Sequence, residues 1–118
     1  MKKTSKQIYS ENKHFYSSVV DVNEVIVDLD ALVLTRNEKK ELVELAHLNL
    51  HTAIVDAVLS ELTDDDKKIF LELLARDEHE KIWQTLNEKV EKIEDKITAT
   101  GDQVKKELRE DIKKINKT

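Results

Sequence analysis

The feature that most constrains this chain is its near lack of residues that break regular structure. Its 118 residues include one glycine, no proline and no cysteine. A single glycine excludes glycine-rich phosphate loops, and the lack of thiols excludes disulfide frameworks, zinc ribbons and cysteine nucleophiles. Sheet sandwiches and barrels need many tight turns, for which glycine and proline are the usual residues. The composition therefore predicts an all-α protein whose helices are joined by short connections.

The charges are unevenly distributed, although the overall charge is only −5. Residues 1–17 hold four lysines and one glutamate, residues 18–80 hold six basic and sixteen acidic groups, and residues 81–118 hold ten basic and eight acidic groups. We therefore divide the chain into a basic, polar N-terminal arm (1–17) and a single helical domain (18–118). An acidic body would repel a phosphate backbone, which argues against DNA binding. RNA contact through the basic arm is the weaker alternative.

Threonines mark the start of two helices. Thr35 stands three residues before Glu38, the spacing of a capping box, and it predicts a central helix over about 36–62. Thr63 precedes three aspartates that favour the first turn of a following helix. From Leu50 onward the central helix is apolar nearly all round, which is typical of a helix surrounded by partners. We expect a small bundle of four to five helices around it.

Two questions about secondary structure stay open at this point. Asp21 resembles the cap of a short helix, but residues 22–33 also alternate as a strand would, because β-branched residues are frequent there. Asp77 has the form of a further helix start. Its helix is expected to continue to Gly101, which either ends it or lies inside one longer helix.

One group of side chains suggests metal chemistry. Glu44, His47 and His51 are spaced so that they lie along one strip of the central helix. A Glu-x-x-His pair on a bundle helix is how ferritin-like di-iron proteins present a carboxylate and an imidazole to metal. A helical metal protein holding iron or zinc is therefore an alternative function. The competing interpretation is that these are ordinary polar residues of a surface or an interface.

The leading hypothesis is a small, non-enzymatic interaction module that binds a protein partner or self-associates. The expected interface residues are apolar ones on the central helix and the single tryptophan: Leu50, Ile54, Val58 and Trp83. No serine stands in a glycine-framed turn, and no catalytic constellation is recognisable. No secretory signal and no uninterrupted apolar span is visible in the sequence, so a cytoplasmic location is expected and membrane binding is not.

The order of these segments resembles a known family. The segments are LSELTDDD at 59–66, FLELL at 70–74, DEHEKI at 77–82, LNEKV at 86–90 and IEDKI at 93–97. Together they are similar to a family of short all-helical bacterial proteins of unknown function, common in ultra-small bacteria. The resemblance covers roughly residues 22–115 and implies an all-helical fold. It assigns no activity and no site residue.

Overall fold

The chain forms an all-α bundle. In the computed structural model, residues 14–117 are described, with side chains through residue 114, and this part contains five helices and no strand. The helices are α1 (Asn23–Asp30), α2 (Arg36–Leu59), α3 (Asp64–Ala75), α4 (His79–Lys89) and α5 (Ile93–Lys117). The longest two, α2 and α5, pack along each other, α1 packs against both of them, and α3 packs against α4. The predicted fold class and the central helix are confirmed.

Side-chain caps define where α2 and α3 begin. The Thr35 hydroxyl accepts a hydrogen bond from the Glu38 backbone N–H at 3.1 Å, and the Glu38 carboxylate accepts one from the Thr35 N–H at 2.9 Å. The Thr63 hydroxyl likewise accepts from the Asp66 N–H at 3.2 Å. Each bond satisfies a donor that the first turn of a helix leaves unpaired. α2 ends at Leu59, three residues earlier than predicted.

The segment that could be helix or strand is helical. α1 spans Asn23–Asp30, and its N-cap is Val22, which makes no side-chain cap. Asp21 does not form the predicted capping box; its carboxylate accepts from the Asn23 N–H at 2.9 Å, two residues on. The segment forms a helix because Val25 and Leu29, four residues apart, are both buried in the core.

Asp77 ends α3 rather than starting α4. Its φ of 56° lies in the left-handed region. The Asp77 N–H donates to the Leu74 carbonyl, and the Glu78 N–H donates to the Leu73 carbonyl, both at 3.1 Å. This pair of bonds is a Schellman motif, the usual C-terminal cap of a helix, with aspartate in the position that glycine usually fills. α4 then begins at His79 without a side-chain cap.

The break after α4 lies at residues 90–92, not at the glycine. Val90 is extended, with φ −130° and ψ 123°, and Lys92 has a φ of 56°. α5 then runs unbroken through Gly101. Gly101 is buried against Val20, and a Cβ built on it would lie 2.4 Å from Val20 Cγ1. The glycine is therefore explained by a close approach between segments, not by a helix end.

The core extends further towards the N-terminus than the sequence suggests. Phe15 and Tyr16 fall within the predicted basic arm, yet they are 3% and 2% exposed and belong to the core. They lie in a turn that leads into α1. The folded part thus begins before residue 18, while residues 1–13, which carry the arm's lysines and the proposed RNA contact, lie outside the described residues.

Candidate functional site

Two long-range hydrogen bonds hold the turn over residues 14–20 against the bundle. The indole N–H of Trp83 donates to the Phe15 carbonyl at 2.7 Å. The Tyr16 hydroxyl and His51 Nδ1 lie 2.9 Å apart and are hydrogen-bonded. The rings stack as well: His14 lies 4.6 Å from His51 and 5.0 Å from Tyr16 between ring centroids. No periodic pattern in the sequence indicates this cluster, because its members come from three separate segments.

Burial fixes the protonation of the Tyr16–His51 pair. It raises the pKa of the Tyr16 hydroxyl well above its usual value of 10.0 and lowers the pKa of His51 below 6.5. At neutral pH the hydroxyl is therefore protonated and the imidazole is neutral. A neutral imidazole has one donating and one accepting nitrogen, and the tautomer of His51 sets which partner donates in the Tyr16 Oη–His51 Nδ1 bond.

The three residues of the proposed metal site differ in their surroundings. Glu44 is exposed, His47 is half-buried, and His51 uses one ring nitrogen for the bond with Tyr16. Within residues 14–117, no group of three or more His, Asp or Glu side chains is placed to hold a metal ion. The hypothesis of a metal site at Glu44, His47 and His51 therefore has no convergent set of ligands in this part of the chain.

The predicted interface residues on α2 lie inside the protein. Leu50, Ile54 and Val58 are 2%, 0% and 0% exposed and form the face of α2 that meets the core. They are not on the surface of the folded chain, because α2 uses this face to pack against its own neighbours. Trp83 is half-buried, and its polar atom is held by the Phe15 carbonyl. An interface built on α2 must therefore use another face of the helix.

The opposite face of α2 carries a second apolar row, which we call the outer stripe. Its members are spaced three and four residues apart: Leu45, Leu48, Thr52, Val55 and Leu59. Leu45 and Leu48 are 51% and 58% exposed, Thr52 is exposed, and Val55 and Leu59 are half-buried. Alternating steps of three and four are the spacing by which one helix packs against another. The outer stripe thus has the pattern of a helix-pairing seam: Val55 and Leu59 also touch the core, whereas Leu45 and Leu48 stay half exposed in the described part of the chain.

A groove of about 480 Å³ lies beside the outer stripe, between α2 and α5. Its apolar lining comes from Leu48 and Ala53 on α2 and from Val104 and Leu108 on α5. Its charged lining consists of three carboxylates and, among the described residues, no basic group: Asp56, Glu107 and Asp111. Glu107 accepts a hydrogen bond from the Gln103 side-chain amide at 2.9 Å. Asp56 and Asp111 have no ion pair or side-chain hydrogen bond within the described part of the chain.

A second, charged crevice follows the contact between α1 and α5. The Arg109 Nε–H donates to Asp28 Oδ2 at 2.7 Å, and Arg109 Nη1 lies 3.8 Å from Glu24 Oε1. Lys105 lies 3.9 Å from Glu24 and 3.8 Å from Asp102. Lys105 and Arg109 are therefore paired with acidic groups and join the two helices, and Lys106 and Lys113 also line this crevice.

α2 also has the length and composition of a membrane-crossing helix. It is the one such helix among the described residues, and 22% of its apolar window is buried. The core helix of a globular protein can meet the same criterion, so the finding assigns no location. It does show that the other described residues leave much of this apolar stretch uncovered.

Comparisons with known proteins give no relative. No protein-family model, no curated protein and no solved structure matches this chain. The resemblance to short helical bacterial proteins stays a prediction. Any function must be argued from the surfaces described above.

Proposed function

We propose that this protein is a small, non-enzymatic helical module that binds a protein partner through the outer stripe of α2. The supporting observation is the outer stripe itself, an apolar row at helix-pairing spacing with Leu45 and Leu48 half exposed. A single exposed leucine is ordinary in a folded protein, but a row with this spacing is what a second helix needs. A cytoplasmic location, which the sequence suggested, is part of the same proposal.

The test removes the apolar character of the outer stripe without touching the core. In Leu48→Glu, a charge replaces a side chain that is already 58% exposed, so the fold is retained. The matched control is Leu71→Glu on α3, at a leucine that is 45% exposed and lies outside the outer stripe. Circular dichroism verifies that both variants are folded.

The measurement combines mass in solution, by light scattering, with cross-linked capture from a lysate of the source cells. We expect wild type and Leu71→Glu to form the same complex and Leu48→Glu to lose it. A chain that stays strictly monomeric and captures nothing would refute the proposal. So would a complex that Leu48→Glu leaves intact.

A further inference from the structure

The groove between α2 and α5 combines apolar side chains with three carboxylates. We call these carboxylates, Asp56, Glu107 and Asp111, the acidic rim. Leu48 belongs both to the groove and to the outer stripe, so a helix lying on the outer stripe also enters the groove. From Leu48 to Asp56 the lining extends about 12 Å along α2, at 1.5 Å per residue. That length matches about two turns of an added helix.

The charges on the rim select the chemistry of the occupant. Asp56 and Asp111 are not paired with any basic group in the described part of the chain, so an occupant with positive charges supplies their missing partners. Nucleic acid and an anionic membrane surface carry the wrong sign for this rim. A basic side chain beside an apolar contact is the chemistry that complements it.

A second copy of the chain fits this face poorly. In a two-fold dimer about α2, each copy would present the same surface to the other. The acidic rims of both copies would then lie in the same interface, and like charges placed together disfavour association. The acidic rim therefore favours a partner of different composition over self-association.

We infer that the groove between α2 and α5 binds a basic amphipathic helix of a partner protein, with apolar side chains on Leu48, Val104 and Leu108 and lysine or arginine beside Asp56 and Asp111. This inference rests on the proposed function, since it names the class of partner for the same face of α2. Helix-in-groove binding with apolar anchors at spacings of three and four is a general mode of peptide recognition.

The test uses a fluorescent peptide as the probe. It is a leucine–lysine peptide of about 15 residues with leucines at helical spacing, since shorter helices are marginal in water. The matched peptide has glutamate at every lysine position. Fluorescence anisotropy measures the Kd of each peptide for the full-length protein at low and at high ionic strength.

Two charge variants separate the groove from the general acidity of the chain. Asp56→Asn/Asp111→Asn removes the unpaired rim carboxylates, and Glu88→Gln/Glu91→Gln removes two exposed ones outside the groove lining. We expect the lysine peptide to bind wild type, to bind the groove variant about tenfold more weakly with a flatter salt dependence, and to bind the control variant as it binds wild type.

Four outcomes would overturn the inference. The glutamate peptide could bind as well as the lysine peptide, or the groove variant could bind like wild type. A stable dimer that binds neither peptide would assign the face to a second copy. The proposed function is judged separately. If Leu48→Glu abolishes capture from the lysate and Asp56→Asn/Asp111→Asn leaves it unchanged, the interaction module is retained and the basic partner is rejected.

Discussion

Replacing Gly101 by alanine tests whether a glycine inside a helix is there for packing. In a helix that nothing approaches, Gly→Ala raises stability by about 1 kcal/mol. Here the new Cβ would lie 2.4 Å from Val20 Cγ1 and 3.0 Å from Val20 Cγ2. Carbon atoms in good contact are about 3.5–4.0 Å apart, so Val20 must move by roughly 1 Å.

Val20 has little room for that movement. It is 4% exposed, and its backbone N–H donates to the Tyr16 carbonyl at 2.9 Å. Overpacking of this kind costs about 1–3 kcal/mol. Subtracting the gain in helix propensity, we expect Gly101→Ala to lower the free energy of unfolding by about 1 kcal/mol.

Urea unfolding followed by circular dichroism and by Trp83 fluorescence measures the effect. Ala99→Gly, at an exposed position two residues away in the same helix, is the control and gives the propensity difference directly. Val20→Ala/Gly101→Ala should be more stable than the two single changes predict, by about 2 kcal/mol, because the full cost of the overpacking is removed. If Gly101→Ala stabilises the protein by as much as Ala99→Gly destabilises it, the packing argument is refuted.

Three further predictions concern the caps and the half-buried histidine, His51. Thr35→Ala should lower the free energy of unfolding by about 1 kcal/mol, because the hydroxyl that accepts from the Glu38 N–H is lost. Asp77→Gly should raise it by up to about 1 kcal/mol, because glycine adopts positive φ without steric cost. Burial lowers the pKa of His51. Its contribution to the free energy of unfolding should therefore be fully present above about pH 6.5 and should fall as the pH drops through 6.5. Urea midpoints check all three.

Each of these predictions has its own control. Thr35→Ser keeps a hydroxyl and should retain most of the stability that Thr35→Ala loses. Asp77→Ala should destabilise, and a stabilisation equal to that of Asp77→Gly would show that the positive φ is not the cause. For the pH dependence, His51→Asn should be less sensitive between pH 7.5 and 5.5; an unchanged slope would contradict the role of His51.

Local chemistry predicted some elements of this fold well. Thr35 and Thr63 cap helices as expected, because a hydroxyl at an N-cap needs only backbone groups three residues away. Asp77 was wrongly assigned to a helix start, since aspartate serves both as an N-cap and in the left-handed region. Position 101 of α5 is a glycine because Val20 packs closely against it. Val20 is far away in the sequence, so local sequence patterns cannot predict that contact.

The candidate surface was predicted only in part. The periodicity of α2 separates two apolar rows, and it cannot say which row the remaining helices cover. Leu50, Ile54 and Val58 were assigned to an interface, and they are the row that α2 buries in its own bundle. Only the folded structure, in which α5 lies beside α2, distinguishes the outer stripe from the buried row. An apolar surface all round a helix indicates that the helix has partners, and only the tertiary structure shows which segments those partners are.

The pairing of α2 with α5 also governs the order in which this protein can fold as it is synthesised. α2 is complete at Leu59, whereas the α5 residues that pack towards it and the core extend to Ile112. At about 5–20 residues per second, the ribosome needs some 3–10 s to make the intervening chain. During that interval only α1, among the helices that pack against α2, has already been made, and the side of α2 that α5 covers stays open to solvent. Transiently exposed apolar surface of this kind is what makes a nascent chain prone to aggregate and what chaperones bind.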